Sequence, residues 1–342
     1  MGSVTIKDVA KAAGVSVAAV SMALNDVAGR VSADTREIIK KTANELGYAP
    51  NLNAKNLRIS QKNLILLVYS TYFLEELNAS PMQFMINVIK EAEKQGKQVI
   101  IQPTKKDVDW NIQIEEYVKL WNSNQIEGII FVPAIEDYVP DNFFLELYRT
   151  HHVNFIAAHP EETSKNYPIV GVDMYLYMQQ ALTYLQNKGY QTIYYICMEY
   201  GAKPPKRAAA YIDYIKAHNL KGTVIKYQSF YRDKEELERL ITPYIDNAEE
   251  NIAFACWNDV DAINILEILR LKRLKSRYNI GVMGFDDLNI SKFTVPALTT
   301  VYSPYKEMGK RAVDYILDSE MHKSKTPVNI QETAYLVERD SV

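Results

Sequence analysis

The sequence predicts an α/β protein with a helix-turn-helix unit at its amino terminus, followed by two doubly wound parallel-sheet subdomains. Three observations carry this. The first fifty residues show short helical periodicities punctuated by Ser and Gly. From Asn63 onward, short apolar runs alternate with longer amphipathic segments. The chain's 342 residues are too many for one core and enough for two or three packed units.

In the amino-terminal stretch, Thr5-Ile6-Lys7-Asp8 has the form of a capping box, and Ile6, Val9, Ala10 and Ala13 follow at helical spacing. Gly14 supplies a left-handed turn that ends this helix. Ser16 can cap a second helix over 17–24, with Val17, Val20 and Leu24 on one face. A third helix starts from Ser32, carries Ile38, Ile39, Ala43 and Leu46 as its stripe, and stops at Gly47.

The remainder reads as repeated strand–helix units. The first series comprises a strand at Leu64–Val68, a helix at Met82–Gly96, a strand at Gln98–Gln102, a helix at Ile112–Asn122, a strand at Gly128–Val132, a helix at Asn142–Thr150 and a strand at Asn154–Ala157. A second series begins at Ile169–Val172. It runs through Met174–Gly189, Thr192–Cys197, Arg207–His218, Lys234–Asn247, Ile252–Cys256, Asp259–Leu271 and Asn279–Gly284.

Charge is uneven along the chain. The whole molecule carries -3, but residues 1–62 hold nine basic against five acidic side chains, so the amino-terminal unit is +4 and the rest -7. A small basic helical unit with a Ser-capped helix after a three-residue turn suits insertion of that helix into a DNA major groove. Cys197 and Cys256 lie in apolar runs and imply no disulfide framework, which fits a reducing cytoplasm. No signal pattern opens the sequence and no stretch reaches the ~20 apolar residues that span a bilayer. Motifs for dinucleotide, phosphate or zinc chemistry and for a serine nucleophile are missing, so neither an enzyme nor a metal or organic cofactor is expected.

The run from Val4 to Ser21, VTIKDVAKAAGVSVAAVS, followed by Asn25, Val31-Ser-Ala-Asp-Thr-Arg36 and Leu46-Gly-Tyr-Ala-Pro-Asn51, resembles the lactose-repressor (LacI/GalR) family. Asn258-Asp259, Gly281-Val-Met-Gly-Phe-Asp-Asp287, Pro296-Ala-Leu-Thr-Thr300 and Val337-Glu-Arg339 resemble its effector-binding core, which is of periplasmic-binding-protein type. The resemblance implies a headpiece over residues 1–50, a hinge over 51–62 that becomes helical on operator DNA, and a core over 63–342. Within the core it implies three crossings, placed near Glu162, Ile290 and His322. These give an N-subdomain of 63–162 and 291–321 and a C-subdomain of 163–290 and 322–342.

Residues 17–24 become the recognition helix, and Leu57 occupies the position of a hinge leucine that wedges into the minor groove. A segment so short is not a stable helix in water, so its ordering must come from DNA and a partner chain. DNA contact is expected from Thr5, Ser16, Val17, Ala18, Ser21, Met22, Asn25, Arg30, Asn51, Ala54 and Leu57. Met22 stands where relatives often carry Arg or His. Bidentate guanine readout is therefore absent there, and Val17, Ala18 and Met22 are expected to favour thymine methyl groups. Ser16, Ser21, Asn25 and Arg30 are the expected hydrogen-bonding residues.

For the effector, Arg207 matches a ligand-gripping arginine, although Ala210 and Tyr211 replace the Gly and aromatic that usually follow. Trp257 can stack on a sugar face or lie in the core, and Asp259 can accept sugar hydroxyls or cap the helix it begins. Phe230 and Tyr231 fall in a loop that often presents an aromatic to the ligand, and Tyr72 and Phe73 follow the first core strand. Asp173 either faces the ligand or caps the helix starting at Met174. The expected assembly is a cytoplasmic homodimer bound to double-stranded operator DNA and a small effector, a sugar or sugar derivative. A repressor is the expected sense. Only Asp340, Ser341 and Val342 follow Arg339, which leaves no heptad tail for a tetramer.

Overall fold

The computed structural model describes residues 4–24, 31–48, 62–70, 79–105, 108–132, 140, 142–159, 163–199, 204–228, 234–272, 279–321 and 326–342. The chain divides into two units, Met1–Lys62 and Asn63–Val342.

The first unit holds α1 (Ile6–Ala12), α2 (Val17–Leu24) and α3 (Ala33–Glu45). At the start of α1, the Asp8 carboxylate accepts from Thr5 N at 2.8 Å and Thr5 Oγ1 at 2.6 Å. Those bonds hold its carboxyl below the usual carboxylate range. Gly14 has φ +68° and Gly47 φ +66°, so both turns use the left-handed region a side chain disfavours. Ser16 Oγ accepts from Ala19 N at 3.1 Å, and Ser32 Oγ from Thr35 N at 3.3 Å. Val9, Ala10, Val20, Ala23, Ile39 and Ala43 form the core. Two expectations for the buried stripe fail: Ile38 and Leu46 are exposed. Ile39 and Ala43 already fill the space under α3, and Ile38 sits a hundred degrees further round the helix.

The second unit contains two six-stranded sheets. Its strands are β1 (Leu64–Tyr69), β2 (Gln98–Pro103), β3 (Ile126–Phe131), β4 (Phe155–His159), β5 (Ile169–Val172), β6 (Thr192–Met198), β7 (Val224–Tyr227), β8 (Ile252–Cys256), β9 (Ile280–Asp286), β10 (Thr299–Tyr302), β11 (Asn329–Glu332) and β12 (Tyr335–Val337). The first sheet has the order β11-β5-β4-β3-β1-β2 and is wholly parallel. The second has the order β12-β10-β9-β8-β6-β7 and is parallel except for β12 against β10.

Between the strands run α4 (Ala79–Lys94), α5 (Trp110–Asn122), α6 (Phe143–Leu145, continued by a π turn to Thr150), α7 (Met174–Asn187), α8 (Lys206–Ala217), α9 (Lys234–Asp246), α10 (Asp259–Lys272) and α11 (Tyr305–Leu317). Helices cover both faces of each sheet. On β1, Ile65 and Leu67 pack toward α4 and α11, while Leu66 and Val68 pack toward α5 and the Phe143–Phe144 pair. That double burial explains the unbroken apolar run in the sequence. In the second sheet, Ile196, Phe254, Cys256 and Val282 pack against α9 and α10.

Sheet membership moves the crossings. β5 belongs to the first sheet although it reads as the start of the second series, and β10 belongs to the second. β11 returns to the first sheet and β12 to the second. The chain therefore crosses at Asp173, Ser303–Pro304 and Thr333–Ala334, each later than the expected positions near Glu162, Ile290 and His322. The expected N-subdomain segment 291–321 thus begins with a strand of the other sheet. An apolar pattern specifies a strand but not which sheet it joins.

Candidate effector and DNA-facing sites

In the second sheet the chain builds outward in opposite directions from the gap between β6 and β8. Loops leaving the carboxyl ends of those strands diverge there and open a crevice suited to a ligand. Arg207, the second residue of α8, comes from the loop after β6, and Trp257 directly follows β8. The structure brings these two predicted residues together. The guanidinium lies 4.1 Å from the Trp257 ring centroid and 5.4 Å from that of Phe285, and Nη1 donates to the Trp257 carbonyl. Arg207 is buried at 6% exposure, whereas Trp257 is half-buried.

Two hydrogen bonds tie the elements that carry the site to β6. Tyr211 Oη donates to the Ile193 carbonyl at 2.6 Å and its ring stacks on Tyr195, so it fastens α8 to β6. Trp257 N donates to the Ile196 carbonyl at 2.8 Å, which extends the pairing of β8 with β6 by one residue.

Asp259 sits differently from either sequence expectation. The cap of α10 is Asn258, whose Oδ1 accepts from Asp261 N at 3.0 Å. Asp259 is fully buried; its Oδ2 accepts from Leu288 N at 2.7 Å and Ser291 Oγ at 2.5 Å, and its Oδ1 from Thr300 Oγ1. Two of the donors belong to the segment linking β9 and β10 and the third to β10 itself, which gives the carboxylate a structural part inside the subdomain. Burial, reinforced by the neighbouring Asp286 carboxylate, pushes its carboxyl up to about 7. Asp173 takes the capping alternative: its Oδ1 accepts from Leu176 N at 3.1 Å at the start of α7. Tyr72, Phe73, Phe230 and Tyr231 lie outside the described residues.

The equivalent divergence in the first sheet lies between β1 and β3. Ser70, immediately after β1, is fully buried there with its Oγ unpaired. Its sequence signal is a hydroxyl directly after the six-residue run Leu64–Tyr69, whereas the expectation rested on the neighbouring aromatics Tyr72 and Phe73. At the end of β4, His159 is buried and shares a 3.1 Å hydrogen bond with Tyr167.

On α2, Ser16 and Ala18 are exposed, Val17, Ser21 and Met22 are half-buried, and the first turn carries no acidic residue. Thr5 is exposed at the start of α1. Asn25, Arg30 and the hinge residues Asn51, Ala54 and Leu57 lie outside the described residues. Cys197 and Cys256 are buried, with the Cys197 thiol pushed up to about 12 by desolvation. Among the described residues no group of three His, Cys, Asp or Glu is placed to hold a metal, and no helix is long and apolar enough to cross a membrane.

Residues 5–51 match the lacI family of bacterial regulatory proteins, and residues 182–342 match the periplasmic binding protein-like domain. The amino-terminal segment is thus similar to the lacI family and the carboxyl-terminal half to periplasmic binding proteins. Similarity to curated regulators extends over the full length: the HTH-type transcriptional repressor PurR of Pasteurella multocida is 26% identical over 99% of this chain and 98% of its own. Among solved structures, the Lac repressor dimer bound to operator and the anti-inducer ONPF covers 99% of both chains at a TM-score of 0.73 and 21% identity. The complex of the regulator CelR with cellobiose covers 99% of this chain and all of its own at a TM-score of 0.61 and 20% identity. The chain thus has the expected architecture, a helix-turn-helix ahead of two parallel-sheet subdomains, and the curated proteins it resembles are transcriptional regulators.

Proposed function

We propose that this chain is a cytoplasmic, homodimeric lacI-family repressor of transcription whose hold on operator DNA is set by a small sugar-like effector, and that it catalyses no reaction. The observation that carries the reading is the Arg207–Trp257 stack at the divergence of β6 and β8, in a chain that also presents a Ser-capped helix free of acidic residues in its first turn. The guanidinium offers charge-assisted donors to hydroxyl or carboxylate oxygens, and the half-buried indole offers an apolar face. Ser70 is a further candidate polar contact from the first sheet. In this reading Asp259 and Asp173 support the site's walls, and Tyr72, Phe73, Phe230 and Tyr231 remain candidate ligand contacts.

On the DNA side, Thr5, Ser16, Val17, Ala18, Ser21 and Met22 face a half-site with Asn25 and Arg30 alongside, and Asn51, Ala54 and Leu57 act in the hinge. A homodimer places two such headpieces on a pseudo-palindrome. The surface offered for pairing lies on the first sheet's flank. Met82, Ile86 and Ile89 recur on one face of α4, and Ile100 and Ile101 lie on edge strand β2; all are at least 36% exposed.

Two measurements on the full chain test the proposal. Selection from random duplexes should enrich a two-fold-related site rich in A·T pairs opposite Met22. A sugar panel should contain a compound that raises the melting temperature, quenches Trp257 fluorescence and changes affinity for the selected site. Enrichment of no sequence, or turnover of the stabilising compound, overturns it.

A further inference from the structure

The three crossings run side by side. Glu332 of β11 is in register with Val172 of β5, so the segments that leave at Thr333 and Asp173 start together. Tyr302 of β10 is in register with Tyr335 of β12, so the other two also meet. At this meeting point the rings of Tyr302 and Tyr335 stack at 4.7 Å and 24°. Tyr302 Oη donates to Glu307 Oε2 at 2.6 Å.

The two ends of that hydrogen bond belong to different subdomains. Tyr302 closes a strand of the second sheet, while Glu307 lies in the first turn of α11, which packs with α4 on the first sheet. Only Ser303 and Pro304 separate β10 from α11. Each end is fixed independently. On the first-sheet side, Arg311 of α11 pairs with Glu332 of β11 at 3.0 Å. On the second-sheet side, Thr300 is bonded to Asp259, and Ser303 Oγ donates to Asp286 Oδ1 at 3.1 Å. Asp259 follows Trp257 by two residues and Asp286 follows Phe285, so the rings around Arg207 connect to the crossing through two short hydrogen-bonded links.

We propose that Tyr302 and Glu307 form a latch across the second crossing that fixes the angle between the subdomains, making both of them positioning residues for the effector-controlled change. Only the last clause rests on the regulator reading. A rotation about Ser303–Pro304 must stretch this bond, because its donor moves with one sheet and its acceptor with the other. Partial burial and the adjacent Glu307 carboxylate push the Tyr302 phenol above its ordinary value, so it remains a donor throughout the neutral range.

The test is single-molecule energy transfer on the ligand-free full chain, with dyes on Lys119→Cys in α5 and Lys216→Cys in α8 and labelled chains diluted into unlabelled ones. Both positions are exposed and the native Cys197 and Cys256 are buried. Tyr302→Phe should change the ratio of short- to long-distance molecules by about tenfold, the scale of a hydrogen bond to a charged group. Glu307→Leu should match it, Glu307→Gln should keep part of the latch because its carbonyl still accepts, and Tyr302→Phe with Glu307→Leu should equal either alone. An unchanged distribution in Tyr302→Phe and Glu307→Leu, or effects that simply add, overturns the latch. Since no effector or DNA enters this measurement, the latch can stand even where DNA selection fails, and the regulator reading then falls by itself.

Discussion

Asp259 is the residue on which the second sheet's β9–β10 segment hangs, and Gly284 is what allows it to sit there. A Cβ on Gly284 would overlap the Asp259 carboxylate, which three donors hold in place and which cannot swing away as a loose side chain would. Gly284→Ala is therefore expected to lower the unfolding free energy by about 2–3 kcal/mol, the upper range of core overpacking, as measured by urea denaturation. The protonation of Asp259 gives a second expectation. Its folded-state value of about 7 lies above the ordinary 3.8, so the folded chain holds the extra proton between those values. The stability this proton contributes is complete below the unfolded value and is lost as pH rises through about 7. Asp259→Asn can keep the geometry, its carbonyl accepting from Leu288 N and Ser291 Oγ and its amide donating to Thr300 Oγ1. The wild-type chain should accordingly lose more stability than Asp259→Asn between pH 5 and 8, roughly bracketing that titration. Parallel pH profiles would remove this role for the carboxyl.

Individual elements were legible where local chemistry decides them. The caps at Ser16 and Ser32 and the turns at Gly14 and Gly47 were readable because a hydroxyl or a missing Cβ acts within four residues. The capping of α3 yields a direct expectation: Ser32→Ala should cost the headpiece about 1 kcal/mol, seen as earlier melting in the helical circular dichroism signal, with the core transition unmoved. What could not be read was which sheet a strand would join. Ile169–Val172 carries a clear strand pattern, yet its sheet is chosen by tertiary packing of both faces. The candidate site divides along the same line. Arg207 was found through the family resemblance and Trp257 by its position after a strand, and the two do meet. Asp259 carried the same positional signal, but its carboxylate turns toward Ser291 and Thr300, far along the sequence and invisible to any local pattern.

At the scale of the whole molecule, a regulator of this design needs two headpieces joined strongly enough to act as one ligand for a two-part operator. A single small headpiece contacts one half-site, and the second binds with an effective concentration set by the pairing of cores. The exposed stripe of Met82, Ile86 and Ile89 on α4, continued by Ile100 and Ile101 on β2, is the apolar surface available for that pairing on the first sheet. Ile86 is 45% exposed within one chain, so a charge there can be solvated in the monomer and would be buried unpaired in the proposed dimer. Ile86→Asp should leave the melting of the isolated core nearly unchanged while moving the sedimenting species from dimer to monomer. Affinity for the full operator should fall by roughly 10²–10⁴, the gain that bivalency confers, while binding to a lone half-site should hardly alter. A variant that stays dimeric at micromolar concentration would place the interface elsewhere; one that becomes monomeric yet retains full operator affinity would detach DNA recognition from dimerisation altogether.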